Sequence, residues 1–226
     1  MKLLILADIY GEMKTLVKIL NEAEKEKFDV IIAPGDFTES FNDKDNFEQI
    51  DLAELILLKL LALKKPVLCV PGNHDPYEIL DVFEDYSMNL HGKIKKALNM
   101  NFAGIGGAKT PFNTIFEPTE EEVKEILHHL KQKTQKPFIL VVHNPPKDTK
   151  LDKISSGEHV GSDQIRQFIL ETKPVLAICS HIHEAAGEDK LGDTCLFYPG
   201  PVFEGNYGIV EIIGDKIKCE IRKVKV

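Results

Sequence analysis

The chain has no tryptophan, and its four cysteines (Cys69, Cys179, Cys195 and Cys219) form no C-x-x-C pair. Each lies in an apolar, strand-like run, where a free cysteine behaves as a small buried hydrophobe. They read as reduced and structural in a cytoplasmic protein, rather than as a disulfide framework or a zinc site. Positive charge is also scarce: 28 Lys and Arg against 36 Asp and Glu leave a net charge of −8. With no polybasic run, binding to duplex nucleic acid through phosphate neutralisation is disfavoured. Small charged substrates stay open, because a metal ion can supply positive charge locally. No apolar stretch is long enough for a membrane span, and the most apolar one, Leu52 to Leu63, is broken by Glu54 and Lys59. The first eight residues are apolar but too short for a signal-peptide layout, so they are expected to form a strand. No internal repeat, low-complexity tract or inter-domain linker divides the chain, and 226 residues suffice for one domain spanning 1–226.

What is present is a series of short apolar runs separated by amphipathic segments. Lys2–Ala7, Asp29–Ala33 and Pro66–Val70 are expected to be strands, the first two buried on both faces. Between them, residues 12–26 place Met13, Leu16, Val17, Leu20 and Ala23 at helical spacing, and residues 47–63 form an unusually apolar helix. The simplest reading of that second helix is deep packing between layers, with a subunit interface as the alternative that leaves homo-oligomer formation open. Strand–helix–strand–helix–strand order implies parallel pairing with right-handed crossovers. Further strands are expected near Asn101–Ile105, Phe138–Val142 and Pro174–Cys179, with helices from a capping box at Thr119-Glu120-Glu121-Glu122 and from Gly161-Ser162 to about Thr172. The tail predicts a meander with strands at Thr194–Tyr198, Tyr207–Ile213 and Lys216–Lys223.

The apolar runs end on chemistry. Asp8, Asp36 and Asn73-His74 lie at the carboxyl ends of the first three strands, which is where open parallel sheets bind ligands. His143 closes the run at 138–142, and His181-Ile182-His183 follows the run at 174–179. Carboxylate, amide oxygen and imidazole together are the ligand set for divalent ions such as Mn, Fe or Zn. Two residues apart on an extended loop, His181 and His183 point in different directions and suit two neighbouring ions better than one. Taken alone, Asp8 or Asp36 could be a helix cap and Asn73 a turn former. His91, His128, His129 and His159 lack strand-end placement and are read as core or solvated residues.

In order along the chain, Asp8-Ile9-Tyr10, Gly35-Asp36, Gly72-Asn73-His74-Asp75, His143 and His181-Ile182-His183 resemble the motifs of the calcineurin-like metallophosphoesterase superfamily. The resemblance covers nearly the whole chain. It implies an α/β fold, a four-layer α/β/β/α sandwich of two mixed sheets flanked by helices. The parallel strands ending at Asp8, Asp36 and Asn73 would build one sheet; His143, the 181–183 loop and the C-terminal meander would belong to the other. It also implies a dinuclear metal-dependent phosphoesterase acting on small phosphodiesters or phosphomonoesters through a metal-bridging hydroxide. The cofactors would be two divalent metal ions, Mn first, with Fe, Zn or Ni as alternatives. By position, Asp36 would bridge the ions, Asp8 and His183 would complete the first site, and Asn73, His143 and His181 the second. His74 would protonate the leaving oxygen or stabilise the oxyanion, and Asp75 would orient its ring.

The sequence departs from that pattern at one residue. The superfamily's first motif is Asp-x-His, and here it is Asp8-Ile9-Tyr10. Tyr10 could bind a hard ion as phenolate, hydrogen-bond beside a three-ligand site, or mark a first site that is weak or empty. A weakened but occupied first site is favoured, because Asp8, Asp36 and His183 remain. Tyr10 also keeps a rival class in view, a catalytically weakened member acting as a protein-binding scaffold. A DNA nuclease is a third reading, opposed by the acidic charge.

Overall fold

Short runs of buried residues that face alternately to opposite sides build the whole architecture. The computed structural model describes residues 1–39 and 48–226. The first sheet holds β1 (Lys2–Ile5), β2 (Val30–Ala33), β3 (Val67–Cys69), and, from the far end of the chain, β10 (Asn206–Ile213) and β11 (Lys216–Lys223). The second holds β4 (Ile94–Ala97), β5 (Met100–Ile105), β6 (Phe138–Val142), β7 (Leu176–Ile178), β8 (Gly187–Leu191) and β9 (Thr194–Tyr198). Five α-helices cover them: α1 (Met13–Ala23), α2 (Gln49–Leu61), α3 (Ile79–Asp85), α4 (Glu120–Lys133) and α5 (Asp163–Thr172). The strand orders are β11-β10-β1-β2-β3 and β4-β5-β6-β7-β9-β8, so both sheets are mixed. Strands β1, β2 and β3 run parallel, as do β5, β6, β7 and β9.

Alternation along each strand feeds two layers at once. Leu4, Leu6, Ile31 and Ala33 face outward onto α1, α2 and α3, through Leu16, Ile19, Leu57, Leu60 and Phe83. Their neighbours Leu3, Ile5, Val30 and Ile32 face the other way and meet Phe102, Ile139, Val141 and Phe197 of the second sheet. The outer face of that sheet, with Phe138, Leu140 and Tyr198, packs on α4 and α5 through Leu127, Leu130, Phe168 and Ile169. Three apolar layers thus separate four structural ones, the expected α/β/β/α sandwich. Helix α4 opens on the expected capping box. Thr119 accepts from the Glu122 N–H, and the Glu122 carboxylate accepts from the Thr119 N–H.

Two expectations change. The C-terminal meander does not stay in the second sheet: β10 pairs antiparallel with β1, Leu4 against Ile209, and β11 pairs with β10. The chain crosses between sheets after Tyr198, where Pro199-Gly200-Pro201 breaks the ladder and Ala7 pairs with Pro201. The region 76–118 also contains α3 and β4, whose short, weakly periodic segments gave little signal, and β4 forms a hairpin with β5, the strand expected at Asn101–Ile105.

The apolar helix at 47–63 is α2, with residue 47 outside the described residues. Leu57 and Leu60 are fully buried, whereas Leu55 and Leu58 are 45% and 43% exposed. Leu57→Ala is therefore expected to cost about 2–5 kcal/mol of unfolding free energy. Leu58→Ala is expected to cost under about 1 kcal/mol. Urea denaturation of the two variants side by side makes the comparison, and equal losses would mean that both faces of α2 are covered.

Candidate metal centre

Each candidate ligand stands where a buried strand has just ended, so the two sheets aim their carboxyl ends at one place. From the first sheet come Asp8, Asp36, Asn73 and His74; from the second come His143, His181 and His183. Four non-glycine residues in these turns use left-handed backbone: Asp8 (φ 51°), Tyr10 (φ 49°), Asp36 (φ 55°) and His181 (φ 78°). That conformation is costly for residues with a Cβ and clusters where geometry is imposed by function.

The centre is built around Asp36, which is fully buried. Its Oδ1 accepts from the His74 backbone N–H at 2.9 Å, and its Oδ2 from the Tyr10 hydroxyl at 2.7 Å. His143 Nε2 lies 3.4 Å from the same Oδ2 and 2.9 Å from Asn73 Oδ1. His143 Nδ1 is 2.8 Å from the Pro34 carbonyl, which can only accept, so Nδ1 carries the proton. In the neutral ring Nε2 is then a lone pair, and it faces two oxygens that are lone pairs too. The Asn73 amide is fixed in that sense, because its Nδ2 donates to Thr114 Oγ1 at 3.1 Å. Three Lewis bases pointing at one another with no donor between them repel, unless a proton or a cation sits among them. Asp36, His143 and His181 offer ligand atoms that all lie within 4.8 Å of one another.

The titration of these groups reflects the same geometry. Burial opposes ionisation of Asp36, but the His143 and His74 groups around it outweigh that and hold its carboxyl below the ordinary range. Desolvation would lower His143, yet the Asp36 carboxylate lifts it to about 9. Burial and then the His143 charge lower His181 to about 3, so that ring stays neutral and able to ligate.

A second group of ligands forms around Asp8. Burial raises its carboxyl above the ordinary value, with His183 and His143 opposing. Asp8 Oδ2 accepts from Ser180 Oγ at 2.8 Å and from the Tyr198 hydroxyl at 2.6 Å. His183 Nε2 lies 3.8 Å from Asp8 Oδ1. His183 Nε2 and His74 Nδ1 are buried and find no hydrogen-bond partner among the described residues. The donor set, the unpartnered nitrogens and the lone-pair convergence all fit divalent metal ions.

Tyr10 is placed as a hydrogen-bond donor to Asp36 Oδ2. Burial and the Asp36 and Asp8 carboxylates push its phenol far above the ordinary value, so it remains a donor to Asp36. Its ring meets His74, His183 and Phe203 edge-on, with centroids 5.3, 5.5 and 5.4 Å away. Asp75 also departs from expectation. Its carboxylate does not orient the His74 ring; Oδ1 accepts from the N–H groups of Phe37 (2.9 Å) and Thr38 (3.2 Å), and Oδ2 from Gly72 (2.7 Å). A buried carboxylate satisfies backbone donors first, and these three bind the β2 and β3 turns together. Sequence reasoning missed Ser180, Tyr198 and Phe203. Ser180 had one signal, its position next to His181; Tyr198 and Phe203 sit in apolar surroundings that gave none.

Beside the centre lies a cavity of about 330 Å³, lined among others by Gly106, Lys109, Asn144, Ser162 and Gln164. Asn144 Oδ1 and Gln164 Oε1 are buried there without a hydrogen-bond partner among the described residues.

The closeness of the turns is itself testable. A Cβ on Gly72 would stand 2.0 Å from Asp36 Oδ1 and 2.2 Å from Asp36 N. Gly72→Ala is therefore expected to shift the Asp36 carboxylate and weaken Mn binding by at least about tenfold, as loss of a ligand's supporting contacts does. Calorimetric titration with Mn provides the readout, and wild-type affinity would show that Asp36 is not a ligand.

Comparison with known proteins agrees with this geometry. A model of the calcineurin-like phosphoesterase family matches residues 1–185. A protein of Methanocaldococcus jannaschii described as uncharacterised is 37% identical over 206 residues, covering 89% of this chain and 88% of its own. The crystal structure of TT1561 from Thermus thermophilus superposes with a TM-score of 0.74 at 18% identity, covering 97% of each chain. An archaeal protein described as a novel phosphodiesterase gives a TM-score of 0.52 at 12% identity, over 98% of this chain and all of its own. Matched by the family model along most of its length, this chain belongs to the calcineurin-like phosphoesterase family.

Proposed function

We propose that this protein is a dinuclear metal-dependent hydrolase of small phosphodiesters or phosphomonoesters, working in the cytoplasm. The observation that carries the reading is the convergence of Asp36 Oδ2, Asn73 Oδ1 and His143 Nε2 in a buried space, three ligand atoms that need either a shared proton or a cation among them. Asp36, Asn73, His143 and His181 would hold one ion, and Asp8, Asp36 and His183 the other, with Mn as the preferred metal. Divalent ions held there supply Lewis acidity and neutralise charge on the phosphoryl oxygens. The archaeal phosphodiesterase among the solved structures is consistent with this substrate class.

The chain's own residues do the rest. The His74 backbone N–H anchors Asp36, so its ring is carried on the rim of the centre. Tyr10 packs against that ring from the side, replacing the orienting role expected of Asp75. From there His74 donates a proton to the leaving oxygen or a hydrogen bond to a phosphoryl oxygen. Gln49 Nε2 donates to the His74 carbonyl at 2.7 Å and steadies the loop. The cavity bordered by Lys109, Asn144 and Gln164 is where the substrate's leaving portion would rest. Unpaired cysteines throughout the chain suit a reducing compartment.

The scaffold reading is favoured by one contact, the Tyr10 hydroxyl occupying Asp36 Oδ2. His74 separates the two readings. His74→Ala is expected to lower turnover of a chromogenic phosphodiester with Mn by about 10²–10⁴-fold while leaving Mn bound. Undiminished turnover in the variant would remove His74 from the mechanism; no turnover by the parent protein with any of several metals would favour the scaffold.

The two ion sites should also differ in strength. Calorimetry with Mn is expected to show two binding events per chain of unequal affinity. Tyr10→His, which supplies an imidazole and frees Asp36 Oδ2, should tighten the weaker event by about tenfold or more. A stoichiometry fixed at one in both proteins would end the dinuclear proposal.

A further inference from the structure

A second cluster of metal-binding side chains lies away from the catalytic centre, at the open edge between the two sheets. Glu188, Cys195 and Cys219 offer a carboxylate oxygen and two sulfurs that all lie within 4.8 Å of one another. The three come from three strands in two different sheets. Cys219 is on β11, the edge of the first sheet, and packs into the layer between the sheets. Cys195 is on β9 and borders the same layer. Glu188 is on β8, the edge of the second sheet, directly across from Phe197, which also fills that layer. Residues directly opposite in an antiparallel pair share a face, so the Glu188 side chain is directed to the side on which both thiols lie.

We propose that Glu188, Cys195 and Cys219 form a structural site for a thiophilic divalent cation such as Zn²⁺, with water as the fourth ligand. Thiolate and carboxylate together are a zinc donor set, with Zn–S near about 2.3 Å and Zn–O about 2.0–2.2 Å. Donor atoms on a tetrahedral ion with those bonds lie about 3.5–3.8 Å apart. Ligand atoms that all lie within 4.8 Å of one another therefore have at most about 1 Å to close. Lys190 stands directly opposite Cys195 on β8, so a cationic group lies on the same face as the two thiols. Binding releases the thiol protons and ties β11 to β8 and β9, so the ion's binding energy becomes folding energy for the joint between the sheets. The catalytic centre holds oxygen and nitrogen donors only, so sulfur ligation distinguishes this site from it.

Sulfur ligation has its own spectroscopic signature, which makes the test independent of activity. Titrating the reduced, full-length protein with Cd²⁺ should produce an ultraviolet sulfur-to-metal charge-transfer band that saturates at one equivalent. C195S and C219S should each lose the band, with circular dichroism showing that they remain folded. E188Q, at an exposed position where folding is not at risk, should keep the band but need at least about tenfold more cadmium to develop it. H181A should leave the band unchanged, because the catalytic centre contributes no sulfur. With the catalytic centre first saturated with Mn, Zn²⁺ should raise the unfolding temperature of the wild type by more than that of C219S. Absence of the band at saturating Cd²⁺, or its survival in either cysteine variant, would overturn the proposal. So would a Cys195–Cys219 disulfide whose reduction fails to give cadmium uptake.

Discussion

The Asp75 carboxylate is the contact on which the rest of the centre depends. It takes hydrogen bonds from Phe37 and Thr38 on one side and from Gly72 on the other. The turn after β2 and the turn after β3 are thereby joined, and these turns carry Asp36, Asn73 and His74. Together with the His74 N–H bond to Asp36, that tie holds Gly72 close to Asp36 against the repulsion among the centre's oxygen atoms. Burial and the nearby Asp36 raise the Asp75 carboxyl to about 7, because two carboxylates in one dry space disfavour each other's charge. The cost is tolerated because buried backbone N–H groups need acceptors as badly as the carboxylate needs donors.

Much of the fold was legible because its strands are buried on both faces. Continuous apolar runs such as Val30–Ala33 and Phe138–Val142 have one structural solution, a central strand between two layers. Each ends abruptly on a polar residue, so the strand ends and the candidate ligands were found by the same feature. What escaped notice lacks that contrast. Strands β4 and β8 are edges with mixed burial, and α3 is a short helix whose pattern is too brief to repeat. The return of β10 to the first sheet was unreadable for a different reason. An apolar strand fits either sheet equally well, and only the crossing after Tyr198 decides between them.

The site divides along the same line. The metal-binding candidates were visible as residue types at strand ends, whereas their supports were not. Tyr198 closes an apolar strand and looks like core, yet its hydroxyl reaches Asp8 at 2.6 Å. Asp75 looked like a partner for its chain neighbour His74 and turned out to serve backbone on another turn. Adjacency in sequence is a poor guide here, since consecutive residues in a sharp turn point in different directions. The pairing of Cys195 with Cys219 was hidden for a similar reason, because a register between sheets decides it and no local spacing does.

The position of β1 carries a consequence for how the protein is made. This first strand lies between β2, which follows it closely, and β10, which begins at Asn206. During synthesis β1 can pair on one side early, but its other edge stays open until β10 has left the ribosome. Asp8, just beyond it, waits equally long for Ser180 and Tyr198. A strand made well before β10 is thus fully housed only once β10 arrives. Assembly of the centre becomes a late event, and a truncated chain would expose an unpaired apolar strand edge instead of a partly working enzyme.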